Sequence, residues 1–341
     1  MASRLGDGLF NEHIYYPWDK NKFVRRALAS LKPWGFAAAE TELWPNMLWQ
    51  LRDAGIPSFL VNGRISDRTW KRLRGTLGRP AGRELYGLFS KLLLREERDA
   101  ERLRSLGIEG GKIRVCGDSK IDALLARRDL QKRDAWRTKL GAPERKIFIA
   151  GSTHEGEDEE VLKAFDVLRQ TEPSARLVIA PRHPERAASA ESLVACRYEV
   201  CRVSQLLGGW DVLVVDQIGV LFDLYGTAAA AFVGGSFADK GGQNILEPAS
   251  WGVPVQYGPH MEDFAGPSAD FLSLGLSRQV KDGIELGEVW SEIAKNSDKD
   301  DKYAKLSKEY FAGKSGAAKR TWDEIMRYTA KKSKTEAGTD R

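Results

Sequence analysis

One stretch of the chain, residues 227–264, restricts the possible folds more than any other. An apolar run at 228–233 leads into paired glycines, a polar loop with a second glycine pair, a helix-like start at Gln243 and another apolar run at 254–257. This order of strand, turn, helix and strand predicts two parallel strands in one sheet. Paired glycines let backbone N–H groups approach a ligand closely, and a helix start favours negative charge. The stretch is therefore either a plain tight turn or one wall of a nucleotide site.

Strand-like runs alternate with helical periodicity along the rest of the chain, and this alternation predicts the α/β class with parallel sheets. The predicted strands are residues 15–18, 34–39, 57–62, 92–94, 113–116, 146–150, 176–180, 211–215, 228–233 and 254–257. A length of 341 residues is typical of two domains. The charged, strandless segment 126–145 is predicted to connect a first domain at 1–125 to a second at 146–330, with a disordered tail at 331–341.

Polar side chains gather where the predicted strands end, which is the edge at which open α/β sheets bind ligands. Ser152 and Thr153 end one strand at a helix start, and Arg182 and His183 end another. The planar donors of an arginine match a phosphate, and hydroxyls at a helix start suit an anion. The alternatives are an ordinary helix cap and a surface loop paired with Glu185. The occurrence of several such clusters in one half of the chain favours a ligand site.

Carboxylates and a lysine form a second set of candidates. Glu40 and Glu42 stand at a strand end, where adjacent carboxylates can take part in acid–base or charge-stabilising chemistry. One solvated and one helix-capping glutamate is an equally good interpretation. Lys120 follows a strand and suits a phosphate or carboxylate, or is an ordinary surface lysine. Glu247, in the helix after the glycine pairs, is suited to accept hydrogen bonds from the hydroxyls of a ribose.

Positive charge is concentrated in one segment. The whole chain has a formal net charge of +5. Residues 64–83 have one acid, Asp67, and seven basic residues, which are Arg64, Arg68, Lys71, Arg72, Arg74, Arg79 and Arg83. This excess predicts an anionic partner: phosphates, an anionic membrane surface or nucleic acid. No RNA- or DNA-binding motif accompanies the segment, so nucleic acid is the least favoured of the three.

Other features of the composition argue against several classes of protein. No apolar run is long enough to cross a membrane, and no signal-peptide core is present. Three cysteines without paired spacing favour a reducing compartment and argue against a disulfide framework or a zinc site. The histidines His154, His183 and His260 lack metal-site spacing, so no metal is expected.

Seven motifs, in order, resemble one family. They are ETELWPN at residues 40–46, NGRISDRT at 62–69, GDSKID at 117–122, STHEGE at 152–157, APRHPER at 180–186, FVGGSF and GGQNILEPA within 232–249, and GPH at 258–260. Their order and spacing resemble those of the Kdo (3-deoxy-D-manno-octulosonic acid) transferases from residue 15 to about residue 326.

The resemblance implies the GT-B architecture, with two Rossmann-like domains, a cleft between them and an N-terminal domain that is incomplete here. It implies an inverting glycosyltransferase that moves Kdo from CMP-Kdo to lipid IVA, the lipid A precursor, in lipopolysaccharide assembly. CMP-Kdo would bind the C-terminal domain. The acceptor would meet the N-terminal domain at the cytoplasmic face of the bacterial inner membrane, with Trp70 and the basic segment facing phosphates and anionic lipid. No cofactor and no metal are implied.

The resemblance also implies roles for particular residues. Glu40 and Lys120 correspond to residues thought to stabilise the transition state. Together with the strand-end clusters, the resemblance gives a donor site of Ser152, Thr153, Pro181, Arg182, His183, Ile218, Gly219, Val220, Asn244, Ile245, Leu246 and Glu247.

Three positions depart from the family pattern. The Ser-Val-Gly-Glu type motif that carries the expected catalytic base does not precede Tyr15, so the N-terminal domain is expected to be truncated. The usual Met-Gly-Glu turn reads Ile218-Gly219-Val220, and Gln243 replaces a histidine. Two alternatives therefore stay open: a catalytically impaired remnant that binds CMP or anionic lipid, and a GT-B enzyme that acts on another nucleotide sugar.

Overall fold

A computed structural model describes residues 10–141, 146–206, 208–296 and 299–339. In chain order the strands are β1 Phe36–Ala39, β2 Ser58–Gly63, β3 Lys91–Leu94, β4 Ile113–Val115, β5 Ile147–Thr153, β6 Arg176–Pro181, β7 Val200–Arg202, β8 Val212–Val214, β9 Ala230–Val233, β10 Val255–Tyr257 and β11 Ser277–Gln279. The helices are α1 Asn21–Leu31, α2 Pro45–Asp53, α3 Asp67–Leu73, α4 Gly78–Gly87, α5 Glu97–Ser105, α6 Ser119–Ala126, α7 Leu130–Lys139, α8 Glu157–Thr171, α9 Ala187–Val194, α10 Leu221–Tyr225, α11 Leu246–Ser250, α12 Ala265–Leu274, α13 Gly283–Lys295, α14 Lys299–Lys314 and α15 Ala317–Thr339. Short 3-10 turns occupy Gly110–Lys112, Pro184–Arg186, Val203–Gln205 and Glu262–Phe264.

The chain divides into two compact units whose boundaries differ from the predicted domains. Unit 1 comprises Met1–Asp122 and Lys314–Arg341, and unit 2 comprises Ala123–Gly313. The segment predicted as a connection is helical where it is described, and α7 belongs to unit 2. The last helix, α15, was assigned by prediction partly to the second domain and partly to a disordered tail. It extends to Thr339 and belongs to unit 1, while residues 340–341 lie outside the described residues.

Unit 1 contains a parallel sheet of four strands in the order β1-β2-β3-β4. Its inner strands are apolar along their length because a parallel sheet flanked by helices is buried on both faces. Leu92, Leu93 and Leu94 of β3 are completely buried. Residues 15–18, predicted as a strand, are irregular, and Tyr16 stacks on Trp44 at 4.7 Å between ring centroids.

Contacts at the carboxyl end of the chain fix α15 to unit 1. The Asp122 carboxylate accepts hydrogen bonds of 2.6 Å from the backbone N–H groups of Gly316 and Ala318. Further along α15, Ile325 packs with Phe59 and Leu93 of the sheet. The Asp122 side chain therefore caps the first turn of α15, and the middle of that helix forms part of the core of unit 1.

Unit 2 contains a parallel sheet of seven strands in the order β11-β10-β9-β5-β6-β8-β7. The prediction missed β7 and β11, which are three-residue strands at the two edges with partly exposed residues. On one face, α8 and α13 pack together over the sheet and bury Phe148, Phe165 and Trp290. Among the residues that the structure describes, no helix combines the length and the apolar character that a membrane span requires.

Candidate functional site

The largest concentration of predicted donor-site residues lies around a cavity of about 640 Å³ in unit 2. The cavity opens at the carboxyl ends of β9, β5, β6 and β8, which are adjacent strands of the sheet. Chain order reverses at β5, because β6 lies on one side of it and β9 on the other, and such a switch point is the usual ligand site of an open parallel sheet. Eight of the twelve predicted donor residues line it, namely Ser152, Pro181, Arg182, His183, Ile218, Gly219, Asn244 and Glu247.

The other four predicted donor residues do not line this cavity. Thr153 is completely buried, and its carbonyl accepts a hydrogen bond from the backbone N–H of Arg182 at 2.9 Å. Ile245 is likewise buried, and Val220 and Leu246 are partly buried. These residues position the loops that carry their neighbours. Their direct contact with a ligand stays a prediction.

Glu247 forms the acidic side of the cavity. Asn244 orders the first turn of α11, because its side-chain oxygen accepts a hydrogen bond from the N–H of Leu246 at 3.1 Å. Burial raises the pKa of the Glu247 carboxyl, and Arg127, 3.5 Å away, opposes part of this rise. A half-buried carboxylate beside an amide suits the two hydroxyls of a ribose, which donate to it.

Arg127 is a site residue that the sequence analysis missed. It follows α6 in the segment predicted as a connection, and its guanidinium lies over the ring of Phe222, 4.2 Å from the centroid. It lines the cavity and is half exposed. The stacked ring and the Glu247 carboxylate hold the guanidinium in one orientation, which suits an anionic group of a ligand. No spacing signal distinguishes this arginine from the other charges of a helical connection.

Arg182 and His183 form the basic side of the cavity. Both side chains are exposed, and the nearest carboxylate to His183 is that of Glu185, with 3.8 Å between Nδ1 and Oε1. At that distance the pair is loose, so the alternative of a surface loop held by Glu185 has weak support. The rings of His154 and His183 meet edge to face at 6.2 Å, and burial lowers the pKa of His154. Ile218, also at the rim, is 87% exposed and offers an apolar surface to a flat base.

The carboxyl end of β5 has an unusual backbone geometry. Ser152 lies in the left-handed region with φ of 57°. Gly151 precedes it, and a Cβ atom there would stand 1.8 Å from the hydroxyl oxygen of Tyr225. Only glycine therefore lets Tyr225 pack beneath this strand end and form part of the cavity wall. Positive φ at a non-glycine residue is costly and concentrates at functional sites.

The glycine-rich turn after β9, at residues 234–242, binds a carboxylate of the protein itself, that of Glu157. Glu157, the first residue of α8, is 1% exposed. Its carboxylate accepts five backbone N–H groups at 2.7 to 3.2 Å, those of His154, Gly235, Ser236, Phe237 and Ala238. A Cβ atom on Gly234 would stand 2.7 Å from the same carboxylate. The N–H groups of the first glycine pair are thus satisfied within the protein.

In unit 1 the two residues predicted as catalytic lie together. The Lys120 ammonium and the Glu40 carboxylate are 2.6 Å apart, and both side chains are partly exposed. Glu40 follows β1 with φ of 57°, in the left-handed region. Asn62 at the end of β2 has φ of 50°, and its side-chain oxygen accepts a hydrogen bond from the N–H of Ser119 at 3.0 Å. Asn62 therefore fixes the turn that carries Lys120, a role that its place in the NGRISDRT motif did not indicate.

The basic segment, residues 64–83, presents its charges to solvent. All seven of its basic side chains are exposed. Asp67, its one acid, pairs with Arg98 at 2.5 Å and also with Arg102. Trp70, expected to face an acceptor, instead packs against the core of unit 1, with the Arg102 guanidinium 5.8 Å from its ring centroid. Its apolar ring is better satisfied inside than beside a charged surface.

His260 lies closer to carboxylates than the sequence spacing indicated. Its Nδ1 is 3.6 Å from Asp239 and 3.5 Å from Glu262. The three residues offer atoms close enough for one metal ion, although Asp239 and Glu262 are mostly exposed and such groups commonly meet without an ion. They lie on the glycine-rich loop and on the loop after β10.

Comparison with known proteins adds to this geometry. The family model for 3-deoxy-D-manno-octulosonic-acid transferase (kdotransferase) matches residues 2–123. A bifunctional glycosyltransferase/methyltransferase of Fusobacterium nucleatum is 31% identical over 299 residues, which are 84% of this chain and 45% of that protein. A 3-deoxy-D-manno-octulosonic acid transferase of Bordetella pertussis is 30% identical over 333 residues, 95% of this chain and 76% of the relative. The chain thus spans about half of the first relative and three quarters of the second.

A solved structure is similar in fold. The UDP-GlcNAc 2-epimerase of Neisseria meningitidis, bound to UDP-GlcNAc, superposes with a TM-score of 0.59 at 18% identity and covers 92% of this chain and 80% of its own. At that identity the likeness shows the fold alone. Together with the two parallel α/β sheets, it confirms the predicted α/β class of GT-B type. From the relatives that match along most of their length, the chain belongs to the 3-deoxy-D-manno-octulosonic acid transferase family.

Proposed function

We propose that the chain is a glycosyltransferase that moves Kdo from CMP-Kdo to lipid IVA. The observation that carries the proposal is the cavity of unit 2, in which Arg182 and His183 face Glu247 and Asn244. This arrangement offers a guanidinium and an imidazole for a phosphate, and acceptors for a ribose, within one cavity of nucleotide size. Relatives named as Kdo transferases support the choice of donor.

The proposed mechanism is a single displacement with inversion. A hydroxyl oxygen of the acceptor attacks the anomeric carbon of Kdo, and the bond to the phosphate oxygen of CMP breaks, so that its electron pair leaves with CMP. The proton of the hydroxyl passes to a carboxylate base. Arg182 stabilises the negative charge that develops on the departing phosphate. Glu40 is paired with Lys120 at 2.6 Å, which suits this pair to charge stabilisation.

The basic segment is proposed to meet the acceptor side. Its seven exposed cations have few acidic neighbours, and lipid IVA carries phosphates. The same charges would attract the chain to the anionic cytoplasmic surface of the inner membrane, where each nearby cation contributes about 1 kcal/mol. No cofactor and no metal are part of the proposal.

The proposed reaction is tested by incubating the purified chain with CMP-Kdo and lipid IVA. We expect CMP to be released only when lipid IVA is present, and a Kdo-bearing lipid to appear by mass spectrometry. Calorimetry with CMP and UDP-GlcNAc is the parallel measurement. CMP binding without transfer would favour the impaired remnant, turnover of UDP-GlcNAc would favour another nucleotide sugar, and absence of CMP binding at millimolar concentration would contradict the donor site.

The role of Glu247 is tested through the affinity ratio of cytidine to 2′,3′-dideoxycytidine, which isolates the ribose hydroxyls because both ligands share one base. Burial raises the pKa of Glu247 above its ordinary 4.5. Since the ionised carboxylate is the better acceptor, the affinity ratio should be highest above the raised pKa and should fall as the pH drops through it. Glu247→Gln should lower the ratio at pH 7 by about tenfold and remove its pH dependence.

Calorimetry measures the affinity ratio for the unmodified chain and for Glu247→Gln, from pH 7 down to the lowest pH at which the protein stays folded. Circular dichroism at each pH shows whether it is still folded. An unchanged pH profile in Glu247→Gln would show that a different group binds the ribose.

A further inference from the structure

A second cavity, of about 790 Å³, lies in unit 1 and is unrelated to the catalytic pair. It is lined by Lys91, which begins β3, and by Gly111 and Lys112, which lead into β4. These residues stand at the amino ends of their strands, whereas Glu40 and Lys120 come after the carboxyl ends of β1 and β4. Because the sheet is parallel, the cavity and the catalytic pair lie at opposite edges of it.

The cavity has an excess of positive charge that the protein does not neutralise. Lys91 donates to the carbonyl of Gly111 at 2.5 Å, and Lys112 donates to the carbonyl of Gly87 at 2.6 Å. Among the described residues, no carboxylate lies within 4.0 Å of either ammonium. Each ammonium has three N–H donors and uses one on a carbonyl, so the others stay free for an anion.

The one enclosed acid of the cavity is already paired. The side chain of Glu324, 13% exposed, lies between Arg327 at 2.5 Å and Arg114 at 3.5 Å. It therefore offers little negative charge to repel a ligand anion. Glu109, the other acid of the lining, is exposed at the rim.

One wall of the cavity is aromatic. The partly exposed ring of Tyr328 lines it and meets the ring of Phe59 edge to face at 5.7 Å, while Phe89 is completely buried behind this wall. Arg52, which also belongs to the lining, is paired with Asp53 at 2.9 Å. An exposed aromatic face beside free ammonium groups suits ligands with a flat apolar body and an attached anion.

We propose that this cavity is a second ligand site of the protein, which takes an organic anion with a phosphate on an aromatic or similarly flat body. Tyr328 and Arg327 belong to α15, whereas both lysines belong to the β3–β4 edge. A bound ligand bridges these elements and holds α15 to unit 1.

The test uses 4-fluorophenyl phosphate as the probe and fluorine NMR of the intact chain as the measurement. With millimolar CMP present to occupy the donor cavity of unit 2, we expect saturable binding at one site, absent for the neutral 4-fluorobenzyl alcohol. The double variant Lys91→Met/Lys112→Met should weaken binding by about tenfold or more, as expected when charge-assisted hydrogen bonds are lost. Lys305→Met/Lys308→Met is the matched control, since it removes two exposed charges of α14 outside the cavity and should change the affinity less than about twofold.

A second variant covers the case in which the double variant unfolds. Arg327→Gln changes an exposed side chain and leaves both lysine–carbonyl contacts in place, and it should weaken binding in the same direction. Hydrogen exchange of α15 should slow when the probe is added. The inference is overturned if no binding is seen, if both cavity variants bind as the unmodified chain does, or if the α14 control loses affinity equally.

Discussion

Glu157→Gln should destabilise the chain by about 3–5 kcal/mol, the usual cost of removing one partner from a buried charged network. The carboxylate accepts five backbone N–H groups. An amide offers one oxygen in its place, and its NH2 group would face N–H donors that cannot accept a hydrogen bond. The loop 235–238 should then lose its fixed geometry, and CMP should bind more weakly because Gln243 and Asn244 follow that loop.

Urea denaturation followed by fluorescence measures the loss of stability. Glu159→Gln is the matched control, because Glu159 lies in the same helical turn and is exposed. Its effect should stay within about 0.5 kcal/mol, as is usual for surface substitutions. If the two variants unfold at the same urea concentration, the carboxylate does not organise the loop.

Lys120→Met should lower kcat for Kdo transfer by about 10²–10³-fold, the range found when one preorganised charge-stabilising group is removed. The affinity for CMP should not change, because Lys120 is not among the residues that line the proposed donor cavity. Since Lys120 and Glu40 are an ion pair, the double variant Glu40→Gln/Lys120→Met should be about as impaired as the worse single variant.

Lys163→Met provides the control for that measurement. Lys163 is also a partly exposed lysine in a 2.6 Å ion pair, with Glu160, and it does not line the donor cavity. Its kcat should be unchanged. Steady-state kinetics of all variants, with CMP calorimetry alongside, tests these expectations. If the losses of kcat in the two single variants multiply in the double variant, the two groups act independently. A weaker CMP affinity in Lys120→Met would place the lysine in donor binding.

The sheets could be predicted because their strands are buried on both faces and are therefore apolar along their length. β2 and β3 were found in this way, whereas the three-residue edge strand β11 has polar, exposed residues and gave no signal. Eight residues of the cavity lining were also predictable, because polar residues at strand ends converge at one edge of a parallel sheet. Arg127 was not, since its role depends on a ring and a carboxylate distant in sequence.

The role of the glycine-rich turn was beyond prediction for a similar reason. Glycine pairs indicate that backbone N–H groups are free to bind an anion. They do not tell whether that anion is a ligand or a side chain. Glu157 stands about 80 residues before the N–H groups of the turn, and only the folded chain brings the two together.

The packing of the last helix, α15, on unit 1 affects the order in which the protein can fold during synthesis. Asp122 and Gly316 are 194 residues apart, yet the first caps the helix that the second leads into. A ribosome releases the whole of unit 2 before it releases α15. Unit 2 is one continuous segment, so all of its residues are available for folding before α15 is made. Until then, Phe59 and Leu93 in the sheet of unit 1 lack their contact with α15. A nascent chain of this kind leaves the apolar sheet of unit 1 uncovered until α15 has been made, and such exposed apolar surface is prone to misassembly.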